Sequence, residues 1–158
     1  MKPKIIISAC LLGENVKYNG QNNLIRSPLL EQWMEEGLLV PLCPEVLGGL
    51  SVPRPVCEMV QGTHTVISKE GEDVTAAFDR GAHEALKMAQ SEGVVMAILK
   101  ARSPSCGTGL IYDGTFSGVL IEGSGITSAV LQESGIAVFH EDELLQAHQF
   151  WMNVLECL

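Results

Sequence analysis

The chain has 158 residues, of which 46% are apolar and 18% charged, and its net charge is −9. That length supports a single compact domain over residues 1–158, and the composition excludes a disordered chain. An acidic chain without a run of Lys or Arg excludes a nucleic-acid or anionic-membrane surface, because both call for a basic stripe. No apolar run has the length that crosses a bilayer. A small neutral ligand remains compatible, with the chain acting as a monomer or homodimer.

The first element is the β-branched run Ile5–Ala9, read as a buried strand that ends at Cys10 and Gly13. Lys2 and Lys4 before an apolar stretch and a Cys imitate a lipoprotein cleavage site, but the stretch is far too short for a signal segment. A first strand and a cytoplasmic location are therefore expected. Five cysteines, an odd number, are then thiols or metal ligands rather than disulfides.

Ser27-Pro28 opens a helix through about Glu36, because Pro suits the first helical turn, and Gly37 stops it. Leu38–Leu42 is a second apolar strand that runs into Cys43-Pro44, followed by a Gly- and Pro-rich loop from Glu45 to Pro55. Thr65–Lys69 and Glu72–Thr75 flank Glu70-Gly71 as a hairpin or a strand and turn. Thr75–Ser91 has helical periodicity, and Gly93 closes it. Val94–Leu99 is the most hydrophobic strand candidate and leads to Ser103-Pro104-Ser105-Cys106-Gly107. Tyr112–Gly118 is a polar turn, Ile126–Ser134 a helix, Ile136–Phe139 a last strand, and Glu141 the start of a C-terminal helix. Strands alternating with helices predict an α/β fold with a mostly parallel sheet and helices on both faces.

In such sheets ligands bind beyond the carboxyl ends of the strands. Three predicted strands end on Cys10, on Cys43, and on the segment that carries Cys106. If those strands are neighbours, three thiols meet at one edge as a candidate metal site with one coordination position left open. Burial as plain core thiols is the competing reading. Glu45 stands two residues after Cys43, on the same side of an extended segment, and is a candidate general acid or base. The hydroxyls of Ser103 and Ser105 are candidates to bind substrate or relay a proton. Tyr18, Asn19 and Asp113 are loop residues suited to line a pocket. Glu58 is expected to pair with Arg54 and shape its loop. Gly123–Thr127 reads as a helix cap rather than an anion site. Cys57, in a Pro-rich loop with no strand feeding it, and Cys157, near the C-terminus, stay outside the site. The histidines are scattered and make no metal pair.

Five motifs in order, Ser8-Ala9-Cys10-Leu11-Leu12-Gly13, Cys43-Pro44-Glu45-Val46-x-Gly48-Gly49-Leu50, Pro53-Arg54, Ser103-Pro104-Ser105-Cys106-Gly107 and Tyr112–Gly118, resemble the thiouracil desulfidase (TudS) family. The resemblance covers essentially the whole chain. It implies a Rossmann-like three-layer domain, and a 4Fe–4S cluster held by three cysteines at the positions of Cys10, Cys43 and Cys106. It implies an enzyme that removes sulfur from a thiolated pyrimidine base, nucleoside or nucleotide, giving the oxo compound and hydrosulfide. The family's catalytic residues map to Glu45 and Ser103, with Ser105 the rival for the serine. Ser105, Tyr18 and Asn19 are the expected substrate contacts. Many members carry a further Cys where this chain has Val16, so any role of that thiol is absent here. Two alternatives stay open at this point: a zinc- or thiol-dependent hydrolase, and a non-catalytic iron–sulfur or sulfur-binding sensor.

Overall fold

In the computed structural model, which describes residues 2–158, four strands form a parallel sheet. They are β1 (Lys4–Ser8), β2 (Leu39–Leu42), β5 (Val94–Leu99) and β8 (Ala137–His140), in the order β2-β1-β5-β8. Pro41 cannot donate to a ladder, and its strand β2 lies at the sheet edge, where that loss is tolerated. Alternation along β1 sorts its side chains to the two faces. Ile5 and Ile7 join Met96 and Ile98 of β5 under Leu30 and Trp33 of α1 (Pro28–Glu35) and Ala147 and Trp151 of α5 (Leu144–Glu156). Ile6 joins Ala97 and Leu99 on the other face, against Ala85 and Ala89 of α3 (Thr75–Glu92) and Leu131 of α4 (Ile126–Glu133). The result is the expected three-layer α/β sandwich. No helix among the described residues is long and apolar enough to cross a membrane.

Helix starts follow local chemistry. Ser27 Oγ accepts the N–H of Leu30, and Pro28 occupies the first helical position of α1. Glu141–Glu143 form a 3₁₀ turn before α5, with a capping box between His140 and Glu143.

Three segments differ from the sequence expectation. Pro44–Leu47 is a short helix, α2, rather than loop. It packs on α3 through two glycines: a Cβ at Gly48 would stand 1.9 Å from the Ala77 carbonyl oxygen, and one at Gly81 1.9 Å from that of Pro44. Cys57 begins a strand, β3 (Cys57–Met59), antiparallel to β4 (Val66–Ser68), so β4 pairs mainly with the segment before it. About Glu70-Gly71 the strand-and-turn alternative holds: β4 runs into a turn, with a single bridge from Ile67 to Asp73. The polar turn at Tyr112–Gly118 joins a second small hairpin, β6 (Leu110–Tyr112) and β7 (Leu120–Glu122). All these strands have three residues, too few for alternation to announce them.

Candidate active site and cluster site

From β1 the chain goes to one neighbour, β2, and later returns to the other, β5. The carboxyl ends around β1 are therefore the switch point where open sheets bind ligands. A cavity of about 520 Å³ lies there. Cys10, on the 3₁₀ turn after β1, Cys43, at the end of β2, and Cys106, in the loop after β5, all line it.

Each sulfur has a polar hydrogen aimed at it. Asn23 Nδ2 lies 3.4 Å from Cys10 Sγ, and Arg54 Nη2 lies 3.9 Å from Cys43 Sγ. Ser8 Oγ donates to Cys106 Sγ at 3.5 Å, while Ser105 Oγ lies 3.6 Å from that sulfur with its own hydrogen turned to Glu45. Ser8 Oγ is itself held by the N–H of Lys100, at 2.9 Å. Donors of this kind stabilise and tune metal-bound thiolates.

With the sulfurs as thiols, burial dominates their ionisation. It pushes Cys10 and Cys43 above the ordinary value, with Asn23 opposing it at Cys10. It pushes Cys106 up to about 12 and Cys57 up to about 11. An activated nucleophilic thiol needs the opposite shift, so the thiol-hydrolase alternative loses its chemistry here. A closed zinc site gathers four donors round one point. Among the described residues no three His, Cys, Asp or Glu side chains form a site for a single metal ion. Three thiols lining one cavity are a donor set that fits an iron–sulfur cluster.

The raised thiols make a stability prediction for iron-free protein. Below the ordinary thiol value of 9.0, folded and unfolded chains both keep these protons. Above it the unfolded thiols ionise while Cys57 and Cys106 stay protonated to about 11 and about 12, so stability falls as pH rises. Denaturant midpoints at pH 8, 9 and 10 should decline, less steeply in Cys57→Ala. A flat profile would refute this.

Glu45, on α2, stands in the same cavity. Arg54 Nε donates to Glu45 Oε1 at 2.9 Å, and Ser105 Oγ donates to Glu45 Oε2 at 2.8 Å. The Arg54 side chain is 5% exposed, and it also donates to the carbonyls of Val16, at 2.9 Å, and Ser51, at 3.2 Å. Ser103 Oγ lies 3.2 Å from Ser105 Oγ and accepts the N–H of Cys106 at 2.7 Å. The row Ser103–Ser105–Glu45 thus links the outer hydroxyl to the carboxylate through a buried one.

The other expectations divide. Tyr18 lines the cavity. Asn19 does not: it is exposed, and its carboxamide is engaged with Gln21. Asp113 also lies outside, holding Thr115 in its own turn. Glu58 does not pair with Arg54, because Glu45 takes that guanidinium; instead it is buried and accepts the N–H groups of Gly114 and Phe116. Cys57 is in the cavity wall, its Sγ 3.4 Å from the Pro55 carbonyl, whereas Cys157 is exposed and remote. Val16, at the position where the resemblance implies a further Cys in many members, lines the cavity. Ser8 and Asn23 line the cavity with no role expected of them residue by residue, and Arg54, expected as the partner of Glu58, serves Glu45 instead. Ser8 and Arg54 did fall within motifs; Asn23 had no signal.

A family model described as 2-thiouracil desulfurase matches residues 5–143. The chain belongs to the 2-thiouracil desulfurase family. A solved structure described as a [4Fe-4S]-dependent thiouracil desulfidase, TudS, is 46% identical, with a TM-score of 0.91 over 99% of this chain and 100% of that one. The uncharacterized protein YbbK of Bacillus subtilis (strain 168) is 40% identical over 148 residues, 89% of this chain and 97% of its own length. Within the desulfurase family, the sensor alternative loses its ground.

Proposed function

We propose that the chain is an iron–sulfur-dependent desulfidase that converts the C=S group of a thiolated pyrimidine to C=O and releases hydrosulfide. The observation that carries the reading is one cavity with three thiols, each approached by a donor, beside a carboxylate anchored by Arg54 and Ser105. Cys10, Cys43 and Cys106 would hold a 4Fe–4S cluster. Bound there, such a cluster would supply a Lewis acid for the exocyclic sulfur.

The chain's own residues do the proton work. Glu45, with one oxygen fixed by Arg54, takes a proton from the water that attacks the ring carbon. Ser103 and Ser105 pass a proton between the substrate side of the cavity and Glu45 Oε2. Water adds, C–S breaks, and sulfur leaves as hydrosulfide, with no net electron transfer. The test is anaerobic reconstitution with iron and sulfide counting, followed by hydrosulfide release from thiolated pyrimidines. Full activity in iron-free protein would overturn the reading.

Charge narrows the substrate. Lys17, Arg54, Lys69, Lys100 and Arg102 line the cavity, five of the ten basic residues in a chain of net charge −9. Arg54 and Lys100 are paired, with Glu45 and Glu141. Burial pushes the Glu141 carboxyl up, but the hydrogen bonds from Lys100 and Ala101 outweigh it and the net shift is down. Lys17, Lys69 and Arg102 have no acidic partner among the described residues, and their field favours an anionic substrate. A thiolated nucleoside monophosphate should therefore have a higher kcat/KM than the nucleoside or base, and salt should erase the difference. Equal values at low salt would refute the anionic preference.

A further inference from the structure

Aromatic residues are scarce in this chain, at 5%, yet both tyrosines and one of its four phenylalanines, Phe116, line the cavity. Phe116 has φ +57°, the left-handed region that a bulky side chain rarely occupies. Only one other non-glycine among the described residues has positive φ: Arg102, at +69°, which lines the same cavity. Backbone held in such a region persists only where surrounding contacts impose it, and it concentrates at functional sites.

The contacts are visible. The buried carboxylate of Glu58 accepts from the N–H of Gly114 at 3.0 Å and of Phe116 at 3.1 Å, through the same oxygen. Gly114 packs so closely on β3 that a Cβ would stand 2.6 Å from the Met59 carbonyl oxygen. Asp113 Oδ1 accepts from the N–H of Thr115 at 2.9 Å, and its hydroxyl also hydrogen-bonds there. Three separate restraints thus fix the turn that brings Phe116 to the cavity, next to Tyr112.

We propose that Phe116 is the ring-binding residue, its phenyl face the wall on which the pyrimidine stacks, and that Glu58 is the positioning residue that holds it there. The proposal rests on the desulfidase reading above. Phe116 contributes no proton or ligand, so its effect belongs to binding rather than to the bond-breaking step.

The experiment uses cluster-loaded protein, with KM and kcat for the thiolated pyrimidine and calorimetric binding of uracil, the uncharged oxo ring. Phe116→Leu keeps the volume and removes the π face. It should weaken uracil binding and raise KM by about tenfold, with kcat and iron content little changed. Phe116→Tyr keeps the face and should bind like the wild type, which separates stacking from folding. Glu58→Ala should reproduce the KM effect, and Glu58→Gln, with a carbonyl oxygen in the same place, should restore it. Wild-type protein that turns over substrate while Phe116→Leu matches it in KM and uracil binding overturns this proposal alone. A kcat loss in Phe116→Leu with binding intact also overturns it. Wild-type protein that neither turns over a thiolated pyrimidine nor binds uracil overturns both readings.

Discussion

Replacing Glu45 by Gln is expected to lower hydrosulfide release by about 10²- to 10⁴-fold, the range for loss of a positioned general base, with iron and acid-labile sulfide unchanged. Gln has the same shape and keeps an oxygen for the Ser105 hydroxyl or the Arg54 Nε–H, which hold the native carboxylate at 2.8 and 2.9 Å. Arg54 stays anchored on the carbonyls of Val16 and Ser51, so the Cys43 side of the cavity keeps its frame. What the substitution removes is the site that accepts a proton from water. Single-turnover assays of anaerobically reconstituted protein, normalised to iron, measure this directly. Near-wild-type activity at full iron content would remove Glu45 from the mechanism. Ser105→Ala should lose more than Ser103→Ala if the buried hydroxyl is the obligatory link to Glu45.

Substituting Ser for any one of Cys10, Cys43 or Cys106 is expected to take iron and activity to background. With three thiolates, loss of one leaves two, and no fourth ligand is in reserve unless Cys57 supplies it. Cys57 is the informative comparison, because it also lines the cavity. Its thiol hydrogen-bonds to the Pro55 carbonyl. Cys57→Ala should keep its iron, its colour and its absorbance in the visible range. Cys157→Ser, at an exposed position, is the surface control. Loss of iron in Cys57→Ala with retention in Cys43→Ala would exchange the two residues' roles.

Much of this site is legible residue by residue. Each of the three proposed ligands follows a strand or its loop, and strands of β-branched residues such as Ile5–Ile7 are recognisable from a few neighbours. Glu45 is legible because it stands two residues from Cys43. The role of Glu58 was misassigned because Arg54, four residues away, is an equally good partner for Glu45 once α2 has formed. Formation of α2 depends in turn on Gly48 and Gly81 letting two backbones touch, an approach between segments 33 positions apart that no local pattern announces. Cys57 was read as loop because β3 has three residues and exists only through its pairing with Val66–Ser68. Asn19, a polar loop residue suited to line a pocket, instead turns its carboxamide to Gln21.

Strand–helix alternation, the cysteines that follow three of the strands, and the family are all legible without coordinates. Those features depend on side-chain period and on residue identity at fixed spacing, which survive without coordinates. Only the tertiary structure decided the order β2-β1-β5-β8, which brings the three strand ends round one cavity. It also decided that Ser105, 60 positions away, reaches Glu45, and that Arg54 meets both Glu45 and Cys43. It gathered half the basic side chains of an acidic chain on that cavity. Such pairings are selected by burial: a guanidinium or carboxylate removed from water must find its partner wherever packing puts one, and packing is a property of the whole chain.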